Sequence, residues 1–275
     1  MFLAASVSMN SRLIDMIYTK ESPLRVFEAF AGYGSQALSL DQLHQLYPDF
    51  CYTVVGISEI DKYAIQAYMA IHGETTNYGD ISKIDWDKVP DFDLFTYSFP
   101  CTDISSAGQQ KGLEEGSETR SSLLWQCKRT IQAKHPKYLL MENVKNLVSR
   151  KFLPYFRKWE EYLRCEGYVT YWKVMNAKEY GGGMQGGPIP QNRERIFAVS
   201  IRIDDPDNVP EFVFPDSEEL QMSLRDVLEE NADESYYISD AKMKELMESV
   251  DPIKLAGRGF TYVRDYGQEN NTSEC

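Results

Sequence analysis
The chain has 275 residues and a formal net charge of −13, long enough for one large domain, or a domain with an appendage, around a substantial core. It has no apolar run of the roughly eighteen residues that a membrane-spanning helix needs, and no basic, apolar and small-residue succession that would read as a secretory leader. Its negative balance is a poor match for holding nucleic acid unaided, because phosphate contacts supply most non-specific affinity.

The middle of the chain alternates strand-like with helix-like stretches, the signature of an α/β fold. Residues 24–30 read as a first strand, followed by Ala31-Gly32-Tyr33-Gly34 and an amphipathic helix over 36–46. A second strand over 52–58 leads to a helix over 62–71 with an apolar face, and 77–81 reads as a short strand end. Further strands fall at 94–98, 138–141, 169–175 and 196–203, and helices at 121–134 and 152–166. Beyond Ile203 the alternation stops. Residues 217–249 read as one or two acidic helices, and 257–275 have no clear periodicity. The divisions are a lead-in helix within 1–22, a catalytic unit over 23–205 and an acidic extension over 206–275. Such an extension is either a solvated face or a dock for a basic partner.

Two loops are unusual. Residues 102–120, rich in Gly and Ser, are too long for an idle connection. Gly181 to Gly187 is glycine-rich and then stiffened by Pro188 and Pro190 before Gln191. The cysteines at 51, 101, 127, 165 and 275 form no CxxC pair and no metal-ligand spacing. Reduced thiols in a cytoplasm, with no metal, are the expectation.

Strand ends carry the chemistry. Phe30-Ala31-Gly32-Tyr33-Gly34 lies between a strand and a helix, where glycines let a ligand approach the backbone; close strand–helix packing accounts for them equally well. Glu59, ending the second strand, can accept ribose hydroxyls, and Asp80 is a candidate for an adenine amino group. The loop has no GxGxxG completion and no GK[ST]. A nucleoside without a phosphate chain therefore fits, and S-adenosylmethionine is the obvious one. Pro100-Cys101 closes an apolar strand and presents a thiol at the edge where α/β sheets bind ligands. Glu142 follows another apolar strand, so burial raises its pKa and favours a proton donor; a buried Glu paired with Arg is the alternative. Gln191 to Arg195 brings two arginines, Arg193 and Arg195.

Phe30-Ala31-Gly32-Tyr33-Gly34, Glu59-Ile60-Asp61, Gly79-Asp80-Ile81, Phe99-Pro100-Cys101, Glu142-Asn143-Val144 and Pro190-Gln191-Asn192-Arg193-Glu194-Arg195, in this order, resemble the DNA (cytosine-5) methyltransferases over most of residues 24–203. The resemblance implies a Rossmann-like S-adenosylmethionine-dependent fold, with a doubly wound, mostly parallel sheet and helices on both faces. It implies that Cys101 attacks C6 of an extruded cytosine in duplex DNA while Glu142 protonates or hydrogen-bonds N3. Arg193 and Arg195 would hold the ring or an adjacent phosphate, and Asn143, Ser105 and Gln191 would serve the substrate and its loop. Phe30, Gly32, Gly34, Glu59, Ile60, Asp80, Ile81, Pro100 and Leu123 would line the methyl donor's site. A bacterial or phage restriction-modification setting follows from the same resemblance.

The chain departs from that pattern in three ways. The target-recognition region is short or missing, which suggests a second polypeptide carrying it. The family's final helical motif is matched by residues 4–18, ahead of the first strand, as in a circular permutation; an ordinary lead-in helix explains those residues equally well. Ser35, Thr102 and the added glycines before Pro190 replace commoner residues without removing a catalytic group. A tRNA cytosine-5 methyltransferase and a non-catalytic remnant of a truncated enzyme remain as alternatives.

Overall fold
The computed structural model describes residues 18–101, 104, 120–181, 187–223, 226, 228–229, 233, 235 and 237–249. The expectations for the 4–18 helix, apart from Tyr18, for Ser105 and most of the 102–120 loop, and for 257–275 lie outside them. Six strands, β1 (Leu24–Ala29), β2 (Tyr52–Ser58), β3 (Leu94–Tyr97), β4 (Tyr138–Val144), β5 (Tyr168–Asn176) and β6 (Glu194–Arg202), form one sheet in the order β2-β1-β3-β4-β6-β5. The first four run parallel, and β6 lies antiparallel between β4 and β5. All four residues of β3 are buried, as expected for a central strand covered on both faces.

Neighbouring residues in a strand point to opposite faces, and two cores follow from that rule. Phe27, Phe95, Tyr97, Leu139 and Met141 pack on one face beneath α3 (Cys127–Lys134) and α4 (Leu153–Cys165), which contribute Ile131, Phe156, Trp159 and Leu163. Val26 and Leu94 face the other way, against Leu40 and Leu43 of α1 (Ser35–Leu46). Between β2 and the third-strand position, α2 (Lys62–His72) is capped by Asp61, whose carboxylate accepts from the Tyr63 and Ala64 amides.

Three expected elements differ. Residues 77–81 make only one bridge, Ile57 to Asn77; Gly79 turns to φ 73, ending the extended run, and Asp80 caps a 3-10 turn (Ile81–Lys83). The 121–134 helix starts as a 3-10 turn (Arg120–Gln126) before α3 begins. Among the described residues of 217–249 the α-helical stretch is α5 (Asp240–Ser249). Upstream of it the chain lies against the edge strand β5. Tyr171 Oη donates to the Pro210 carbonyl and Lys173 Nζ to that of Pro215, and the Phe212 ring sits 6.3 Å from Tyr171. Proline lacks the amide that would pair with a strand, so this segment is held by side chains rather than by a ladder.

Candidate active site
The carboxyl ends of β1 and β2 build one wall. Phe30, Gly32 and Gly34 all have positive φ, at 56°, 58° and 83°, a conformation that glycine adopts without penalty and phenylalanine does not. The two glycines do different work. A Cβ on Gly34 would sit 2.4 Å from His72 Nε2 and 2.7 Å from the Tyr68 ring, whereas one on Gly32 would meet nothing within 4 Å. Gly34 therefore serves packing, and Gly32 leaves open space in front of the backbone.

Two carboxylates hold this loop. Glu28, fully buried in β1, accepts from the Ala37 amide at 3.1 Å and from Tyr68 Oη at 2.5 Å. Burial pushes its pKa up to about 7, against the pull of those two hydrogen bonds. Glu59 accepts from the amides of Gly32, Ile60 and Asp61 at 2.8, 2.8 and 2.9 Å. A carboxylate has about four acceptor positions, so one remains on Oε2. Ile60 beside it is 74% exposed, an apolar surface open to a flat ring. Asp80 is half-buried and accepts from the Ser82 amide and hydroxyl, and with Lys83 at 3.0 Å these bonds hold its carboxyl below the usual range. Ile81 is 3% exposed and belongs to the central core. The 3-10 turn places its side chain in that core. Leu123 is half-buried against the same core.

The opposite wall is the cysteine loop. Cys101 is half-buried, and hydrogen bonds hold the loop on either side. Asn143, buried at the end of β4, donates to the Phe99 carbonyl at 2.9 Å, and its Oδ1 accepts from the Val144 amide at 2.9 Å. Ser121 Oγ donates to the Pro100 carbonyl at 2.8 Å. The Ile104 amide donates to the Cys101 carbonyl at 3.0 Å, and Asn146 Nδ2 bonds the Ile104 carbonyl. Asn143 thus acts on the loop through its backbone. Ser121 and Asn146 were not expected from sequence, where an ordinary Ser and Asn in short turns carry no signal.

Strand register sets the acid. Val144 lies opposite Arg195 in the β4–β6 ladder, and Tyr97 lies beside Met141. By the two-residue period, Glu142 shares a sheet face with Arg195 diagonally and with Ser98 alongside. Arg195 Nε is 3.1 Å from Glu142 Oε1, each side chain about a quarter exposed at 23%. Burial raises the Glu142 pKa; Arg195, Arg193 and hydrogen bonds from Ser98 and Arg195 oppose the rise. Burial and the neighbouring Arg193 lower that of Arg195, while Glu142 and the nearby Cys101 act to raise it. Glu142 is thus a largely buried carboxyl paired with an arginine. Arg193 and Gln191 are exposed. Their segment is anchored by Asn176, which accepts from the Arg193 amide at 3.0 Å and donates to Asn192 Oδ1 at 2.7 Å. A cleft of about 690 Å³ is lined by Phe30, Gly32 and Gln36 together with Ser98, Glu142, Arg193 and Arg195; Cys101, Glu59, Ile60 and Asp80 are not among its lining residues. Among the described residues, no group of three or more His, Cys, Asp or Glu could hold a metal, and no helix is long and apolar enough to cross a membrane.

This sheet, with its glycine loop after β1 and a cleft across the strand ends, is that of the Rossmann-like methyltransferases. The crystal structure of the Dnmt2 methyltransferase of S. pombe matches 83% of this chain and 66% of its own with a TM-score of 0.58 and 20% identity, a likeness of fold. In sequence, the model of the C-5 cytosine-specific DNA methylases matches residues 24–273, and the chain belongs to that family. Type II methyltransferase M2.ScrFI of Lactococcus lactis subsp. cremoris is 39% identical over 275 residues, covering 81% of this chain and 72% of that protein. Type II methyltransferase M.NlaX of Neisseria lactamica is 35% identical, over 86% of this chain and 70% of its own. Orphan methyltransferase M.Rho11sI of Bacillus phage rho11s is 34% identical, over 90% of this chain and 55% of its own. The chain thus spans just over half of the phage relative and about seven-tenths of the other two.

Proposed function
We propose that the protein methylates C5 of cytosine in duplex DNA, with Cys101 as nucleophile, Glu142 as the N3 partner and S-adenosylmethionine as donor. The observation that carries this reading is the Glu142–Arg195 pair beside an anchored Cys101 loop. The donor fits the other wall. Open space over Gly32, the remaining acceptor position of Glu59 and the bare Ile60 side chain suit backbone contact, a hydroxyl and an adenine face. When bound, S-adenosylmethionine supplies an electrophilic methyl group.

The chain's own residues do the rest. The Cys101 thiolate forms a bond to C6 while Glu142 gives its proton, or a hydrogen bond, to N3, and the electron pair of the C5–C6 bond moves onto C5. Arg195 fixes the Glu142 carboxyl, and Arg193 adds positive charge beside it for the ring or a phosphate. When a base later takes the C5 proton, the S–C6 bond breaks, the thiolate leaves and N3 returns its proton to Glu142. Reaching C6 requires the base to leave the stack, at a few kcal/mol. Residues 23–205 form the catalytic unit on this reading. The net charge of −13 supports a second polypeptide that supplies recognition and basic surface, giving a split enzyme.

Incubation with duplex oligonucleotides carrying 5-fluorocytosine, with the methyl donor and with or without a candidate partner, tests the reaction. A denaturant-resistant adduct that maps to Cys101 is expected, together with methyl incorporation into duplex DNA rather than tRNA. An adduct on tRNA alone would transfer the reading to the RNA substrate, and site-specific methylation by the isolated chain would remove the split.

A further inference from the structure
Asn77 lies outside the chemistry above, yet its carboxamide holds the backbone that carries Glu59. Its Oδ1 accepts from the Glu59 amide at 3.1 Å and from the Gly79 amide at 3.0 Å, while its Nδ2 donates to the Glu59 carbonyl at 3.0 Å. Three of the four hydrogen-bonding positions of the group are thus filled. The orientation is fixed, because a flipped amide would set its nitrogen against two N–H donors and its oxygen against a carbonyl. Ser58 Oγ donates to the Gly79 carbonyl at 2.6 Å, so side chains hold both main-chain groups of Gly79 as well as both of Glu59. The Glu59 carboxylate in turn accepts from the Gly32 amide. One carboxamide therefore links the glycine loop, the end of β2 and the turn that leads to Asp80.

The β1–β2 ladder ends at Ser58, so Asn77 takes hold of the chain where the sheet lets it go. We propose that Asn77 is a positioning residue for the methyl donor: its carboxamide stands in for the strand partner that Glu59 lacks, and so aims the Glu59 carboxylate at the donor's ribose. The aim at a ribose rests on the preceding reading; the three hydrogen bonds do not. The segment that carries Asn77 is held separately. The Ile57 amide donates to the Thr76 carbonyl at 2.9 Å, and the Tyr78 amide to the Ile57 carbonyl at 2.8 Å. This backbone pair keeps 76–78 against β2 whichever side chain stands at 77. Removing the carboxamide therefore frees Glu59 and the Gly79 turn without unpairing the segment.

The test needs no turnover. Calorimetry measures binding of S-adenosylhomocysteine and of its analogue lacking both ribose hydroxyls. Asn77→Ala should weaken binding of the full ligand on the order of tenfold, the size of a lost hydrogen bond to an ionised group. The same variant should bind the dideoxy analogue nearly as the parent does, because that ligand gives Glu59 nothing to hold. Asn77→Asp, close to isosteric, keeps the acceptor for both amides and loses the donor, so its affinity should fall between those of the parent and Asn77→Ala. In methyl transfer by the assembled enzyme, Asn77→Ala should raise the donor KM and leave kcat near the parent value. Equal losses for the two ligands, or an unmoved affinity for the full ligand in both variants, would overturn the proposal while leaving the donor reading intact. A parent chain that bound neither ligand would overturn the donor reading, and this assignment with it.

Discussion
The glycine loop and the cysteine loop sit at the same edge of the sheet, but they are held by different chemistry. The loop after β1 is fixed by two carboxylates, Glu28 and Glu59, that accept amides from it and from the start of α1. The loop after β3 is fixed by neutral groups, Asn143, Ser121 and Asn146, that donate to its carbonyls. Carboxylates suit a loop rich in free N–H groups, and donors suit one whose proline removes an amide and leaves carbonyls unpaired. The consequence is that proton binding is felt by the scaffold on the donor side. On the cysteine side it is concentrated in Glu142, where the proposed reaction uses it.

The contrast can be broken most forcefully at Cys101. Cys101→Ala should lower methyl transfer by on the order of 10⁴-fold or more while changing the melting temperature little, because the loop is held through its backbone. A large loss of stability in that variant would show that the thiol itself holds the loop.

Glu28 tests the carboxylate side. Its folded pKa is raised from 4.5 to about 7, so its favourable contribution to stability is fully present below pH 4.5 and is lost as pH rises toward 7. The difference of about 2.5 units corresponds to on the order of 3 kcal/mol. Denaturant unfolding of Glu28→Gln should therefore lack much of the decline in stability that the parent shows between those limits. Parallel curves for the two proteins would remove Glu28 as the source.

Asn143→Ala should cost about 1–3 kcal/mol, because the buried Phe99 carbonyl loses its partner. Displacement of the nucleophile should also slow transfer by on the order of 100-fold. Since the lost group is neutral, the stability deficit should stay constant with pH, opposite to Glu28. A deficit that grows or shrinks steadily with pH would contradict the division between the loops.

The smallest pair separates packing from ligand contact within one loop. Gly34→Ala meets both a positive φ and the crowding by His72 and Tyr68, and should destabilise by about 2–3 kcal/mol. Gly32→Ala has only the φ penalty, about 1 kcal/mol, but should weaken S-adenosylhomocysteine binding measured by calorimetry. Equal stability losses with unchanged affinity would mean that both glycines serve packing alone.

The strand ends were legible in the sequence because apolar runs close in unmistakable polar residues: Phe30 before Gly32, Ser58 before Glu59, Phe99 before Pro100-Cys101, and Met141 before Glu142. Four parallel strands and most of the helices follow from the same periodicity. Residues 77–81 were less readable, since a lone bridge and a 3-10 turn differ from a strand only in how Gly79 and Asp80 turn. The extended stretch against β5 was missed because its contacts come from Tyr171 and Lys173, dozens of residues away.

By itself the sequence determined the α/β class, the placing of a thiol and a carboxyl at strand ends, and the order of the strand-end motifs, because period and chain order are local properties. Only the tertiary structure decided which glycine faces open space, that Ile81 lies in the core, and that Glu142 is clamped by Arg195. It alone decided that Asn77 reaches both main-chain groups of Glu59. Register and strand order join residues that the chain keeps far apart, and hydrogen-bond direction is defined only once both partners are in place.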